Sequence, residues 1–188
     1  GQIVEHMGKH TGVTAHNTQT ETSDVAVAPG VARYVLQAVD TPASALAMPH
    51  LFDATKLIIT PCGTGVAEAL QARLSARGIQ ASVTKDVPAD ASGVICLAGL
   101  RDFDSQEDAT TIHRDAFVVA RQVAAKFGKE AGLFVTVQDT GGSFGLHSTD
   151  RAWLGGLSGL VKTAAIEWPL AAVRAIDIER GCREADAV

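Results

Sequence analysis

The chain has 188 residues with a formal net charge of −5, and 46% of its residues are hydrophobic. That length allows one domain with a sizeable buried core. The acidic balance without a basic stripe argues against a nucleic-acid partner, and no apolar run is long enough to span a bilayer.

Residues 1–24, "GQIVEHMGKHTGVTAHNTQTETSD", are polar, rich in Thr and His, and without an apolar period. They read as a linker or the edge of a cloned piece, disordered at its start. His6, His10 and His16 lie there, and a solvated tail is favoured over a metal site. The folded part is expected over residues 25–188. The end "READAV" follows closely on a strand-like segment, so both termini read as cuts through a longer polypeptide.

"VARYVLQAV" (residues 31–39) is a strand candidate closed by a turn around Pro42. "KLIIT" (56–60) is a β-branched run suited to a buried parallel strand. In "VAEALQARLSAR", Val66, Leu70 and Leu74 recur every four residues, and Gly78 is a helix stop. "IQASVTK" and "GVICLAGL" are the next strands. The polar loop "RDFDSQED" leads into a long helix with Ile112, Ala116, Val119, Val123 and Phe127 on one face, ended by Gly128. "GLFVTVQ" is another strand. After "DTGGSFGLHST" a helix is expected, N-capped by Thr149 or Asp150. Its apolar face is Trp153, Leu157, Leu160, Val161, Ala164 and Trp168, and Pro169 stops it. "VRAIDI" is the last strand.

Strands alternate with helices, which predicts an α/β fold: a parallel sheet with helices on both faces. Only "DVPADAS" separates "IQASVTK" from "GVICLAGL", too little for a crossover helix plus another strand. The expectation is a doubly wound, Rossmann-like sheet truncated by one βα unit.

The cysteines, Cys62, Cys96 and Cys182, are odd in number and widely spaced. This disfavours a disulfide framework or structural zinc and fits a reducing cytosol. Cys62 precedes a helix N-terminus, where thiolates are stabilised, but has no evident histidine partner. His113 reads as a surface or satisfied histidine. His147 is the best acid–base candidate, because its loop lies at the C-terminal end of the sheet, where ligands bind. Asp177 and Glu179 end the last strand and read as a solvated carboxylate pair rather than ligand contacts.

Several stretches resemble the short-chain dehydrogenase/reductase family over about residues 56–181. "VICLAGL" is similar to its strand ending Asn-Ala-Gly, and "LFVTVQD" to the strand that ends in the catalytic serine. "GLVKTAAIEW" is similar to the second half of its catalytic helix, and "VRAIDIERG" to the next strand. The resemblance implies a phosphate-binding turn Thr-Gly-x-x-x-Gly-x-Gly, matched here by "TPCGTGVA". Thr60 and Gly65 fit, and Gly63 supplies some freedom, but Pro61 and Ala67 replace glycines. Pro61 fixes φ and removes an N–H donor. The catalytic Tyr-x-x-x-Lys places fall on Asp150 and Leu154, and the serine place on Gln138 or Asp139. The only tyrosine is Tyr34 and the only asparagine Asn17. Proton transfer to a nascent alkoxide needs an acid within hydrogen-bond reach, and none stands at these places.

A narrower resemblance accounts for that combination. Over residues 31–178 the chain looks like the first, structural subdomain of the ketoreductase region of type I polyketide, fatty-acid and polyunsaturated-fatty-acid synthases. The most specific stretch is "GGLSGLVKTAAIEWPLAAVRAIDI". "ARYVLQAVDTP", the degenerate first βαβ unit and the missing crossover agree with it. This resemblance implies a non-catalytic, cytoplasmic module with no cofactor of its own. It would brace a catalytic subdomain of the same chain, which binds NADPH and reduces β-ketoacyl groups held on an acyl carrier protein. Glu167, Trp168 and Arg174 either fix the helix-to-strand corner or are ordinary core and surface residues. The alternatives are a stand-alone nucleotide-binding or reductase-like enzyme with a degenerate site, motivated by Thr60, Gly63 and Gly65, and a protein-docking module.

Overall fold

The computed structural model describes residues 34, 37, 39–42, 47–181 and 183–188. The chain divides into Gly1–Val35 and Leu36–Val188, and the sheet with its helices belongs to the second unit. The linker reading of residues 1–24, with its histidines, lies outside the described residues, as do Cys182 and most of the strand candidate at 31–39.

Five strands form one sheet: β1 (Leu57–Ile59), β2 (Ala81–Val83), β3 (Gly93–Gly99), β4 (Gly132–Gln138) and β5 (Ala171–Asp177). Their order is β2-β1-β3-β4-β5, and every pair is parallel. Three helices connect them: α1 (Val66–Ser75), α2 (Gln106–Phe127) and α3 (Gly156–Glu167). This is the truncated doubly wound α/β sheet.

β1, β3 and β4 are buried along their whole length, as expected of a parallel sheet covered on both faces. The period of two distributes their side chains. Leu57, Ile59, Ile95, Leu97, Leu133 and Val135 pack with Val66, Ala67 and Leu74 of α1. Ile58, Val94 and Phe134 face Ala120, Val123 and Phe127 of α2 and Val161 and Ala164 of α3. One helix therefore lies on one face and two on the other, so the chain switches sides between β1 and β3.

The truncation has a visible path. Among the described residues β2 pairs only with β1, so it is an edge of just three residues. Residues 84–92 lead to β3, with Val87 and Ala91 buried on the α2 face. They hold the place of a crossover helix. Among the described residues β5 is the other edge. It is blunted by exposed Arg174, whose guanidinium donates to the Val173 carbonyl (2.8 Å), a charged guard of the kind that discourages strand addition.

The helix ends obey local chemistry. Gly78 lies at φ 78° and donates to the Ser75 carbonyl, while Ile79 donates to that of Leu74. That paired pattern needs a left-handed residue, which favours glycine. Gly128 also ends its helix, but at φ −67°, so it stops α2 without a left-handed turn. At the start of α2, Ser105 Oγ accepts from the Asp108 N–H (3.1 Å) and donates to the Asp108 carboxylate (2.7 Å), a reciprocal cap.

One expected start is corrected. Neither Thr149 nor Asp150 caps an α-helix. A 3₁₀ turn over Ala152–Gly155 comes first, preceded by Arg151, and α3 begins at Gly156. Two adjacent glycines make this stretch a poor α-helix former. The His113 ring lies 2.9 Å from where a Gly156 side chain would begin, and its Nε2 is 2.7 Å from the Trp153 carbonyl. The tighter turn also reverses two neighbours: Trp153, expected inside, is 53% exposed, and Leu154 is 0% exposed.

Candidate functional site

Open α/β sheets bind ligands beyond the carboxyl ends of their strands, at the point where the strand order reverses. Here that end has two parts: the turn after β1, and the loops after β3, β4 and β5.

In the first, Thr60 is buried, and its Oγ1 accepts from the Leu97 N–H (2.9 Å). Its own N–H donates to the Ile95 carbonyl (3.0 Å). Thr60 thus ties β1 to β3 across the switch point. Gly63 and Gly65 both lie at φ 78°, and Gly65 precedes α1 without a side-chain cap. Space beside the two differs. Nothing stands near a Gly63 side-chain position, whereas Ala185 Cβ lies 3.3 Å from that of Gly65. The chain's closing 3₁₀ turn, Ala185–Ala187, therefore crowds the start of α1. Cys62 is buried, with its Sγ 3.0 Å from Thr64 Oγ1, and no histidine bonds to it among the described residues. Cys96 lies inside the sheet. Burial pushes its thiol up from the ordinary value, so it stays protonated and inert.

The second part is a polar cleft of about 730 Å³ lined by residues that include Asp139, Thr140, Ser143, His147, Asp150 and Arg151. The loop above it turns at Gly141, Gly142, Phe144 and Gly145, all at positive φ. Asp177 organises that loop. Its Oδ1 accepts from the Thr140 N–H (2.7 Å) and hydroxyl (2.9 Å), and its Oδ2 from the Phe144 N–H (2.7 Å). The expectation of a solvated pair at Asp177 and Glu179 is thus half right. Glu179 is exposed, but Asp177 satisfies loop N–H groups that have no strand partner.

Arg151 makes a second set of ties. Its Nε donates to the Asp139 carbonyl (3.1 Å) and lies 3.5 Å from Asp139 Oδ2, while Nη2 donates to the Arg101 carbonyl (2.9 Å). Its guanidinium carbon sits 5.0 Å from the centre of the Phe103 ring. Arg180 pairs with Asp102 at 2.7 Å, joining the ends of β5 and β3.

Comparison with protein-family models, curated proteins and solved structures returns no match.

Asp150, at the inferred tyrosine place, is exposed, and Leu154, at the lysine place, lies wholly in the core with Ala109, Ile112 and Leu157. The intervening 3₁₀ turn also breaks the α-helical spacing that would set a lysine beside a tyrosine. Gln138 and Asp139, at the serine place, are both buried. Gln138 Nε2 donates to Thr140 Oγ1 (3.1 Å), and its Oε1 has no protein partner. His147 does reach the cleft, exposed, with no hydrogen bond to its ring among the described residues. His113 is bonded to the Trp153 carbonyl and is not among the residues lining the cleft. At the corner after α3 only Trp168 does what was expected, meeting Phe127 and Phe134 edge-on at 5.6 and 5.4 Å. Glu167 is exposed, and Arg174 turns to the sheet edge.

The structuring roles of Arg151 and Asp177 were not readable from the sequence. Their partners lie 12, 37 and 50 residues away, beyond any local spacing rule. Among the described residues no group of three or more His, Cys, Asp or Glu could hold a metal ion, and no helix is long and apolar enough to cross a membrane.

Proposed function

We propose that this chain is a non-catalytic structural subdomain of a synthase ketoreductase region, bracing a catalytic, NADPH-binding subdomain that acts on carrier-bound β-ketoacyl groups. The observation that carries the reading is Leu154. The place where the resemblance expects a catalytic lysine holds an aliphatic side chain at 0% exposure, inside the core. A lysine there would have to bring its charge out of water. The exposed Asp150 supplies no phenol, and a carboxylate is a poor proton donor at neutral pH. The truncated sheet supports the same reading, because β2 is an edge where a complete doubly wound fold continues.

Two measurements test it. The chain alone should reduce no small β-ketoacyl thioester with NADPH. Turnover above buffer would overturn the reading in favour of a degenerate but working reductase, with His147 the first residue to substitute. The native reading frame past Val188 should encode a second α/β copy with a glycine-rich turn and a tyrosine after a serine. A frame with neither would remove the partner that the brace requires.

A further inference from the structure

The Arg151 side chain spans the ends of β3 and β4. Arg101 follows β3 by two residues and Asp139 follows β4 by one. Their carbonyls point beyond the last strand pairing, where a backbone acceptor needs a donor from elsewhere. Both receive an N–H from Arg151. Its side chain is 20% exposed, and its guanidinium pairs with the buried Asp139 carboxylate and lies near Phe103, whose ring centre is 6.3 Å from that of Trp153. A planar guanidinium is suited to this, because it can serve two acceptors in its plane while its face meets a ring.

We propose that Arg151 is a built-in strap. It fastens the loop of residues 140–150 over the sheet and holds the ends of β3 and β4 together, where open α/β sheets bind their ligands. The chain thereby ties two of its own strand ends through one of its own side chains. This goes beyond the bracing role and holds whether or not a catalytic partner exists. The strap also has a local cause: the 3₁₀ turn that begins at Ala152 directly follows Arg151 and is held to α2 through His113.

The test is hydrogen exchange on the whole chain, comparing wild type with Arg151→Ala. Amides of residues 140–149 should exchange about tenfold faster or more, as expected for losing charge-assisted bonds, while those of α1 stay unchanged. Millimolar methylguanidinium should restore protection in Arg151→Ala and leave wild type alone. Arg151→Lys should protect only partly, since an ammonium lacks the planar fork, and it carries the test if the alanine variant fails to fold. Equal loop exchange in wild type and Arg151→Ala, or full protection in Arg151→Lys, would overturn the strap. NADPH turnover by the wild-type chain would instead overturn the functional reading and leave the strap standing, so the two failures are distinguishable.

Discussion

Residues 150–156 and 157–168 are adjacent in the chain, yet they answer to different forces. The second stretch is packing. Leu157, Val161, Ala164 and Trp168 are buried against the sheet and α2, and Trp168 meets two phenylalanines edge-on. The first is a 3₁₀ turn with exposed Asp150, outward Trp153, inward Leu154 and the strap residue Arg151. The resemblance read from the sequence rests on the buried positions of 157–168 and has no counterpart at Asp150 and Leu154. The two stretches can differ in this way because burial constrains volume and polarity and leaves the exposed and terminal positions open.

The largest effect is expected from putting the chemistry back. Leu154→Lys should destabilise by about 4–7 kcal/mol, since full burial shifts a lysine by about 3–5 pKa units. The penalty is full below the lowered folded value, shrinks as pH rises, and disappears above the ordinary lysine value, where the side chain is neutral in both states. Urea denaturation at several pH values measures it. A folded Asp150→Tyr/Leu154→Lys variant that oxidises NADPH with a ketone would contradict the account of this turn. On the packing side, Trp168→Ala should lower stability by about 3–5 kcal/mol, as for large aromatic truncations in cores. A loss below about 1 kcal/mol would mean that the corner repacks freely.

Smaller effects belong to the loops. Asp177→Ala removes three hydrogen bonds to one side chain and should cost about 2–3 kcal/mol. Asp177→Asn should recover part of that by keeping one oxygen for Thr140. Smallest is the cap of α2. The Ser105 hydroxyl and then the Asp104 N–H hold the Asp108 carboxyl below the usual carboxylate range. Its stabilising contribution is therefore complete above the unfolded value near ~4 and fades as pH falls through the lower folded value. Side-chain NMR titration should show Asp108 moving toward the ordinary value in Ser105→Ala.

Much of the fold was legible in the sequence. The β-branched run at 56–60, the buried composition of 93–100, the four-residue period of 66–74 and the three-to-four-residue period of 112–127 carried the elements. The missing unit was legible too, since seven residues cannot build a crossover helix and another strand. The start of α3 was not. Thr149 and Asp150 are good caps by composition, but the Gly155-Gly156 pair, His113 and the ties of Arg151 moved the start to Gly156.

The alternation of elements, the truncation and the lack of a tyrosine and lysine at the inferred places are written in the chain itself. They are local properties, carried by periodicity, loop length and residue identity. Folding in three dimensions was needed to settle that Leu154 points inward and Trp153 outward, that Asp177 serves a loop 33–37 residues away, and that Arg151 bridges two strand ends. Those contacts join positions distant in sequence, and no local pattern records which distant carbonyl a guanidinium will meet once the sheet has formed.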